Sequence, residues 1–191
     1  MSHKGTNTTA NYMDFDSTLN KSIRLLKEKD GSDYKIAFLT ICGMHFGLRI
    51  SDLLTLKHGD MTLEFIRLTE KKTGKTRTIK INDTVKEAYE LYISRIGKVT
   101  PEDCLFVSQK KGPFSTCQVN RLLQETYGTK NKNISSHSLR KTFGRRVWER
   151  DECSERALVM LSKIFNHTST STTRIYLGIQ QEEMDEIYMN L

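Results

Sequence analysis

The stretch LEFIRLTEKKTGKTRTIKI, residues 63–81, decides the fold. LEFIRLT and RTIKI are short runs rich in aliphatic and β-branched residues, and KKTGK between them holds the glycine that a tight turn can use. Two antiparallel strands joined by a hairpin account for that order. Around the hairpin the period changes to that of helices. Upstream, Leu19, Ile23 and Leu26 share one face of a helix that Asp16 or Ser17 can cap. It runs to about Lys29 and ends at Asp30-Gly31. Asp33 opens a second helix with Ile36, Ala37, Leu39, Thr40, Ile41 and Met44 inward, weakened near its end by Gly43 and Gly47. RISDLLTLK predicts a short helix with Leu53, Leu54 and Leu56 turned inward.

Downstream, Val85, Ala88, Tyr89 and Tyr92 mark a helix over residues 84–96. CLFV (residues 104–107) is a strand or an extended buried segment, and KKGPF is a loop. Ser115 caps a helix that reaches Tyr127. SHSLRKTFGRRVWERD and SERALVMLSKIF follow, both helical. Gly178 then breaks the chain before a tail with Met184, Ile187, Tyr188 and Leu191 on one stripe. The fold class expected is mainly α with a small antiparallel β-sheet (α+β).

A chain of 191 residues suits one domain with a short arm. At this size a core buries roughly 70% of the unfolded surface, so neither disulfides nor metal are needed to hold it. Lys and Arg outnumber Asp and Glu by 30 to 23, and the net charge of +7 is compatible with a polyanionic partner. The four cysteines form no CxxC pair, and three of them adjoin apolar residues. Buried free thiols in a reducing compartment are expected. The polar N-terminus carries no apolar leader, and no window approaches ~18 uninterrupted apolar residues. A cytoplasmic protein with no membrane partner is the expectation, with residues 1–14 a flexible arm.

Four polar stretches stand out. In GLRISDLLTL, Arg49 lies at the junction of two packed elements, and Asp52 one turn on can orient its guanidinium. A plain ion pair at a helix joint is the bland alternative. In EKKTGKTR, Lys72 sits on a finger that can reach into a groove and donate a proton to a leaving oxygen. A solvated hairpin tip is the alternative. In HSLR, His137 and Arg140 face the same way at a helix start, where free N–H groups attract phosphate. A cap and a surface charge would look the same. In HTSTSTTRIY, His167 and Tyr176 bracket a run of small hydroxyl residues, and a phenol packed at a domain edge is the plain reading. Together they supply two guanidiniums, a proton donor, two imidazoles and a phenol. That inventory suits attack on a phosphodiester, with the arginines on the non-bridging oxygens and the phenol as covalent nucleophile.

The order and separation of GLRISDLLTL, KKTGKTR, HSLRKTF and HTSTSTTRIY resemble the motif boxes of the tyrosine recombinase (phage integrase) family, over about residues 43–176. The resemblance implies a catalytic domain over residues 15–178. Arg49 and Arg140 would bind the scissile phosphate, and Lys72 would be the general acid for the departing 5′ oxygen, with Lys71 and Lys75 as alternates. His137 would transfer a proton or hold the phosphate, His167 would hydrogen-bond it, and Tyr176 would attack. Asp52 would buttress the site. Asn166 stands where many members have glycine, a departure expected to alter the local turn rather than the chemistry.

Neither metal nor ATP is implied. The partners implied are double-stranded DNA and further copies of the chain, from dimer to tetramer. Residues 179–191 would form a C-terminal helix able to dock in trans. Lys71, Lys75, Arg77, Lys130, Lys132, Lys141, Arg145, Arg146, Thr172 and Thr173 are candidate DNA contacts. No N-terminal DNA-binding domain is expected in residues 1–32, so the chain is either a catalytic fragment or a compact recombinase. A type IB topoisomerase and a non-catalytic DNA-binding regulator are the rival functions.

Overall fold

In the computed structural model, which describes residues 10–28, 31–108 and 112–191, one helix is enclosed on every side. This is α2 (Tyr34–Phe46), whose residues from Ile36 to Met44 are all buried. Its near-continuous apolar run (IAFLTICGM) therefore marks a central helix rather than an amphipathic one. Around it pack α1 (Phe15–Lys27), α4 (Asp83–Ile96), α5 (Thr116–Tyr127) and α6 (Ser136–Arg150). Phe38 stacks on Tyr92 at 4.6 Å, and each fully buried aromatic or aliphatic side chain there contributes about 1.5–3 kcal/mol. The short α3 (Ile50–Leu53) and a 3-10 turn (His58–Thr62) lead into the hairpin.

The hairpin is the expected one. β1 (Phe65–Thr69) pairs antiparallel with β2 (Thr76–Lys80), in register from Phe65 opposite Lys80 to Thr69 opposite Thr76. Ile66 is fully buried and fixes which face turns inward, since a one-residue slip would expose it.

After α6 the chain builds a second, smaller core. α7 (Glu155–Phe165), α8 (Thr170–Leu177) and α9 (Ile179–Met189) contribute Leu158, Leu161, Phe165, Leu177 and Ile179, with Phe143 and Tyr176 packed on the cluster. Ser154 caps α7, Ser169 caps α8, and Gly178 in the left-handed region (φ 80°) separates α8 from α9.

Three expectations need correction. α1 is capped by Asp14, whose Oδ1 accepts from Ser17 N–H at 2.7 Å, rather than by Asp16 or Ser17. It ends at Lys27, and the breaker placed at Asp30-Gly31 falls partly outside the described residues. The end of the expected arm, residues 11–13, is tied to the domain. Asn11 N–H donates to the Asn133 carbonyl at 2.9 Å, and Met13, buried, donates to Thr142 Oγ1 at 2.8 Å. Residues 1–9 of that arm lie outside the described residues. Of the cysteines only Cys42 is buried, while Cys117 and Cys153 are exposed on polar helix and turn surfaces. The CLFV segment takes the second of its two expected forms, extended with Leu105 and Phe106 fully buried, and makes single bridges, Lys57 with Cys104 and Val107 with Pro113. Among the described residues no helix is long and apolar enough to cross a membrane.

Candidate active site

Arg49, at the N-terminus of α3, follows a helix that stops abruptly. Gly47 adopts φ 56°, and a Cβ there would come within 2.4 Å of the Phe143 ring, so the turn needs glycine. The Gly47 carbonyl, freed by that turn, accepts from Arg140 Nη1 at 2.5 Å. Arg140 Nη2 donates to the Phe165 carbonyl at 3.1 Å, and Arg49 Nη2 donates to the same carbonyl at 3.2 Å. One backbone oxygen at the end of α7 thus pins both guanidiniums. Arg140 also lies over the Phe165 ring at 4.3 Å. Arg140 is 5% exposed, and burial brings its ordinarily very high pKa down to about 10, still cationic at neutral pH.

Asp52 does not orient Arg49. Its Oδ1 accepts from the backbone N–H of Lys71 at 2.9 Å, so it anchors the hairpin turn. The carboxylate on Arg49 is Glu70, at 2.8 Å from Nη1. Glu70 is 3% exposed and also faces Arg77 at 3.4 Å and the Thr73 hydroxyl at 2.8 Å. Burial alone would raise its pKa, but the Thr73 hydrogen bond and the arginines together hold it below the usual value. Sequence reasoning missed Glu70 because a charged residue beside a lysine-rich hairpin tip looks like solvated surface.

His167 follows Asn166, which ends α7 in the left-handed region at φ 55°. Its Nδ1 lies 3.0 Å from Thr173 Oγ1, and its ring meets Tyr176 edge-on at 5.3 Å. Tyr176 sits in the last turn of α8, against Phe165 and beneath Lys141 Nζ at 5.5 Å from the ring. Its hydroxyl is buried and, among the described residues, has no hydrogen-bond partner. Burial pushes the phenol up to about 12, although Arg140 and Arg49 pull the other way. His137 opens α6 and is exposed as a whole residue, yet desolvation on its protein-facing side, then Lys141 and Arg140, hold its pKa below the ordinary 6.5. His167 is lowered likewise, by burial and then by Arg140 and Arg49.

These side chains meet in one cavity of about 520 Å³, lined by Arg49, Lys72, Thr73, His137, Arg140, Asn166, His167 and Tyr176 among others. Lys75 instead reaches across to Asn166 Oδ1 at 2.5 Å. Several expected DNA contacts are engaged inside the protein. Thr173 is fully buried on His167. Arg77 is bound to Glu70 and to the Phe46 carbonyl. Arg145, 8% exposed, is paired with Glu182 and Glu149, and Arg146 with Asp16. Lys141 is buried against Tyr176. Lys71, Lys130, Lys132 and Thr172 remain exposed. Among the described residues no three His, Cys, Asp or Glu side chains come together as a metal-binding set.

A phenol, two imidazoles and two pinned guanidiniums around one cavity define a protein built to grip an anion beside a tyrosine hydroxyl. The sequence matches the phage integrase family over residues 18–183, and the chain belongs to that family, the tyrosine recombinases. The probable integrase/recombinase YoeC of Bacillus subtilis is 33% identical over 166 residues, which cover 85% of this chain and 86% of YoeC. A tyrosine recombinase of Pseudothermotoga lettingae is 32% identical over 164 residues, covering 83% of this chain and 54% of its own length. The crystal structure of XerA recombinase shares the fold with a TM-score of 0.67 at 22% identity, covering 100% of this chain and 66% of that one. The chain spans about half the length of other curated relatives that it matches, among them XerC, XerD and XerA recombinases.

Proposed function

We propose that this chain cleaves and rejoins double-stranded DNA at specific sites through a covalent 3′-phosphotyrosine. The observation that carries the reading is the single cavity shared by Arg49, Lys72, His137, Arg140, His167 and Tyr176. A phosphodiester placed there meets two guanidiniums, each with N–H donors left beyond those bound to carbonyl and carboxylate. Those donors hold the non-bridging oxygens and offset the charge that builds in the transition state. The Tyr176 oxygen forms a bond to phosphorus as the bond from phosphorus to the 5′ oxygen breaks. The phenolic proton passes to His137, which its lowered pKa leaves neutral and able to accept. Lys72 gives a proton to the departing 5′ oxygen. A 5′-hydroxyl from a second duplex reverses these steps and reseals the strand, with one phosphodiester consumed and one formed.

Tyr176 must leave its packed position to attack, because its hydroxyl is buried and unpaired. α8 sits on the small second core and ends at a glycine hinge, which suits such a movement. The tail beyond the hinge buries only Ile179, while Ile187, Tyr188, Met189 and Leu191 are exposed. This exposed stripe is the proposed dock onto a neighbouring copy on DNA, and it favours an assembling recombinase over a monomeric topoisomerase.

The test uses a pool of nicked duplexes with randomised sequence, in which the nick traps the covalent product. Wild-type protein yields an adduct that survives SDS and selects its own site. Tyr176→Phe binds the selected duplex without an adduct. An adduct that persists in the Phe variant would refute the assignment.

A further inference from the structure

Glu70 stands where β1 enters the turn, and it joins two parts of the site. Its Oε2 accepts from Arg49 Nη1 at 2.8 Å and from Thr73 Oγ1 at 2.8 Å, while Oε1 faces Arg77 Nη1 at 3.4 Å. Its backbone closes the same turn: Glu70 N–H donates to the Lys75 carbonyl at 3.0 Å, and Gly74 N–H donates to the Glu70 carbonyl at 2.9 Å. Lys72 therefore rides on a loop whose next residue, Thr73, is tied through one carboxylate to Arg49. Lys72 and Thr73 line the same cavity as Arg49. We propose that Glu70 is a positioning residue that couples the Lys72 turn to Arg49, so that the proton donor and the phosphate grip are set as one unit. This inference rests on the recombinase reading above.

A carboxylate that is 3% exposed must be paired to be tolerated, and Glu70 is paired by two guanidiniums and a hydroxyl. The pairing does not neutralise the site. Arg49, Arg77, Arg140 and Lys72 outnumber Glu70 and Asp52, so a phosphate is still attracted. Two further anchors hold the loop from outside: Lys71 N–H on Asp52 Oδ1, and Lys75 Nζ on Asn166 Oδ1. Among the described residues Glu70 alone connects the loop to the arginine.

The alternative is that Glu70 only neutralises Arg77 for folding. The experiment compares cleavage of the selected duplex with cleavage of the same duplex carrying a bridging 5′ sulfur. A thiolate, conjugate to an acid of pKa about 8.5, departs without a donated proton. Thr73→Val keeps the shape and removes the tether. It cleaves the oxygen duplex about tenfold more slowly, the loss of a hydrogen bond to a charged group, yet matches wild type on the sulfur duplex. Thr73→Ser restores the oxygen rate. Glu70→Gln, with folding checked by thermal melting, slows both substrates because Arg49 loses its setting too. Equal slowing of both substrates by Thr73→Val, or slowing of neither, overturns the coupling, and this comparison decides even if Glu70→Gln fails to fold. Absence of an adduct from wild type on either substrate would instead overturn the recombinase reading, and this inference with it.

Discussion

Thr173 is fully buried, and its hydroxyl lies 3.0 Å from His167 Nδ1 and 3.4 Å from the Ser169 carbonyl. The shorter contact is to Nδ1, and a threonine hydroxyl that donates there keeps the proton of the neutral imidazole on Nε2, where it can face a phosphate oxygen, and fixes the ring's tilt. Thr173→Val keeps the volume and leaves the ring nitrogen unpaired. The expected result is a stability loss of about 1–3 kcal/mol and a cleavage rate about tenfold lower, with DNA binding retained. Melting curves and single-turnover assays check both, and an unchanged rate would show that His167 needs no such partner. Asn166 carries a second prediction at this scale. At φ 55° glycine is free of strain, so Asn166→Gly alters stability by less than about 1 kcal/mol while releasing Lys75. Asn166→Val forces a β-branched side chain into that region and costs about 1–3 kcal/mol. Equal unfolding midpoints for the two variants would contradict the argument. In the sequence Thr173 looked like one more exposed hydroxyl in a polar run. The run alternates in burial once it becomes a helix, and helical phase at a segment so poor in apolar residues is hard to assign.

At the scale of elements, α6 carries Arg140 and also seats the helix that carries Tyr176. A Cβ on Gly144 would lie 2.6 Å from Leu177 Cδ2 and 3.0 Å from the Phe165 ring, so α6 packs on α7 and α8 through that bare position. Gly144→Ala must push Leu177, next to Tyr176, outward, at an overpacking cost of about 1–3 kcal/mol that outweighs alanine's better helix propensity. Slower adduct formation should accompany a lower melting temperature, and a variant as stable and as fast as wild type would show that α8 can shift freely. α9 behaves oppositely. With only Ile179 buried, residues 180–191 add little to the core, but their removal takes Glu182 from the nearly buried Arg145, which keeps Glu149, and Glu183 from Arg174, so a modest drop in melting temperature accompanies weaker assembly on DNA, as read by band shifts and strand exchange. Strand exchange unaffected by the truncation would sink the docking proposal. These helices were legible because their signals are local. Ser115, Ser154 and Gly178 mark ends by backbone chemistry, and the hairpin is marked by its glycine turn. Asp14 escaped as the cap of α1 because Asp16 and Ser17 offered the same chemistry within one turn.

At the scale of the whole molecule, the set of side chains around the cavity was legible because chemistry restricts residue type, whereas their partners were not. Arg49 and Arg140 are pinned by the carbonyl of Phe165, 116 and 25 residues away, and any residue type supplies a carbonyl. Desolvation of the histidines, with His58 buried, His45 and His167 half-buried and His137 exposed as a whole residue, sets the pH response. His45, His58, His137 and His167 all lie below the ordinary 6.5, burial being the first cause in each. The Ile41 carbonyl at His45 and Asp103 at His58 oppose that shift without cancelling it. Just below pH 6.5 the unfolded chain therefore binds more protons than the folded one, so stability falls as pH drops and gains nothing further from these groups above 6.5. Glu70, held below 4.5, has the same sign in a lower window: its contribution is present above 4.5 and is lost as pH falls through its folded value. The urea midpoint should be lower at pH 5.5 than at pH 7.5, with a second decline beginning below pH 4.5. The cleavage rate should also fall on the acid side, with its half-point below 6.5, as His137 becomes protonated and can no longer accept the phenolic proton. Measured on protein still folded at pH 5.5, that rate loss separates the site from the fold. A midpoint that is flat or higher at pH 5.5 would mean the histidines are solvated in the native state, and a rate that is flat would remove His137 as the acceptor.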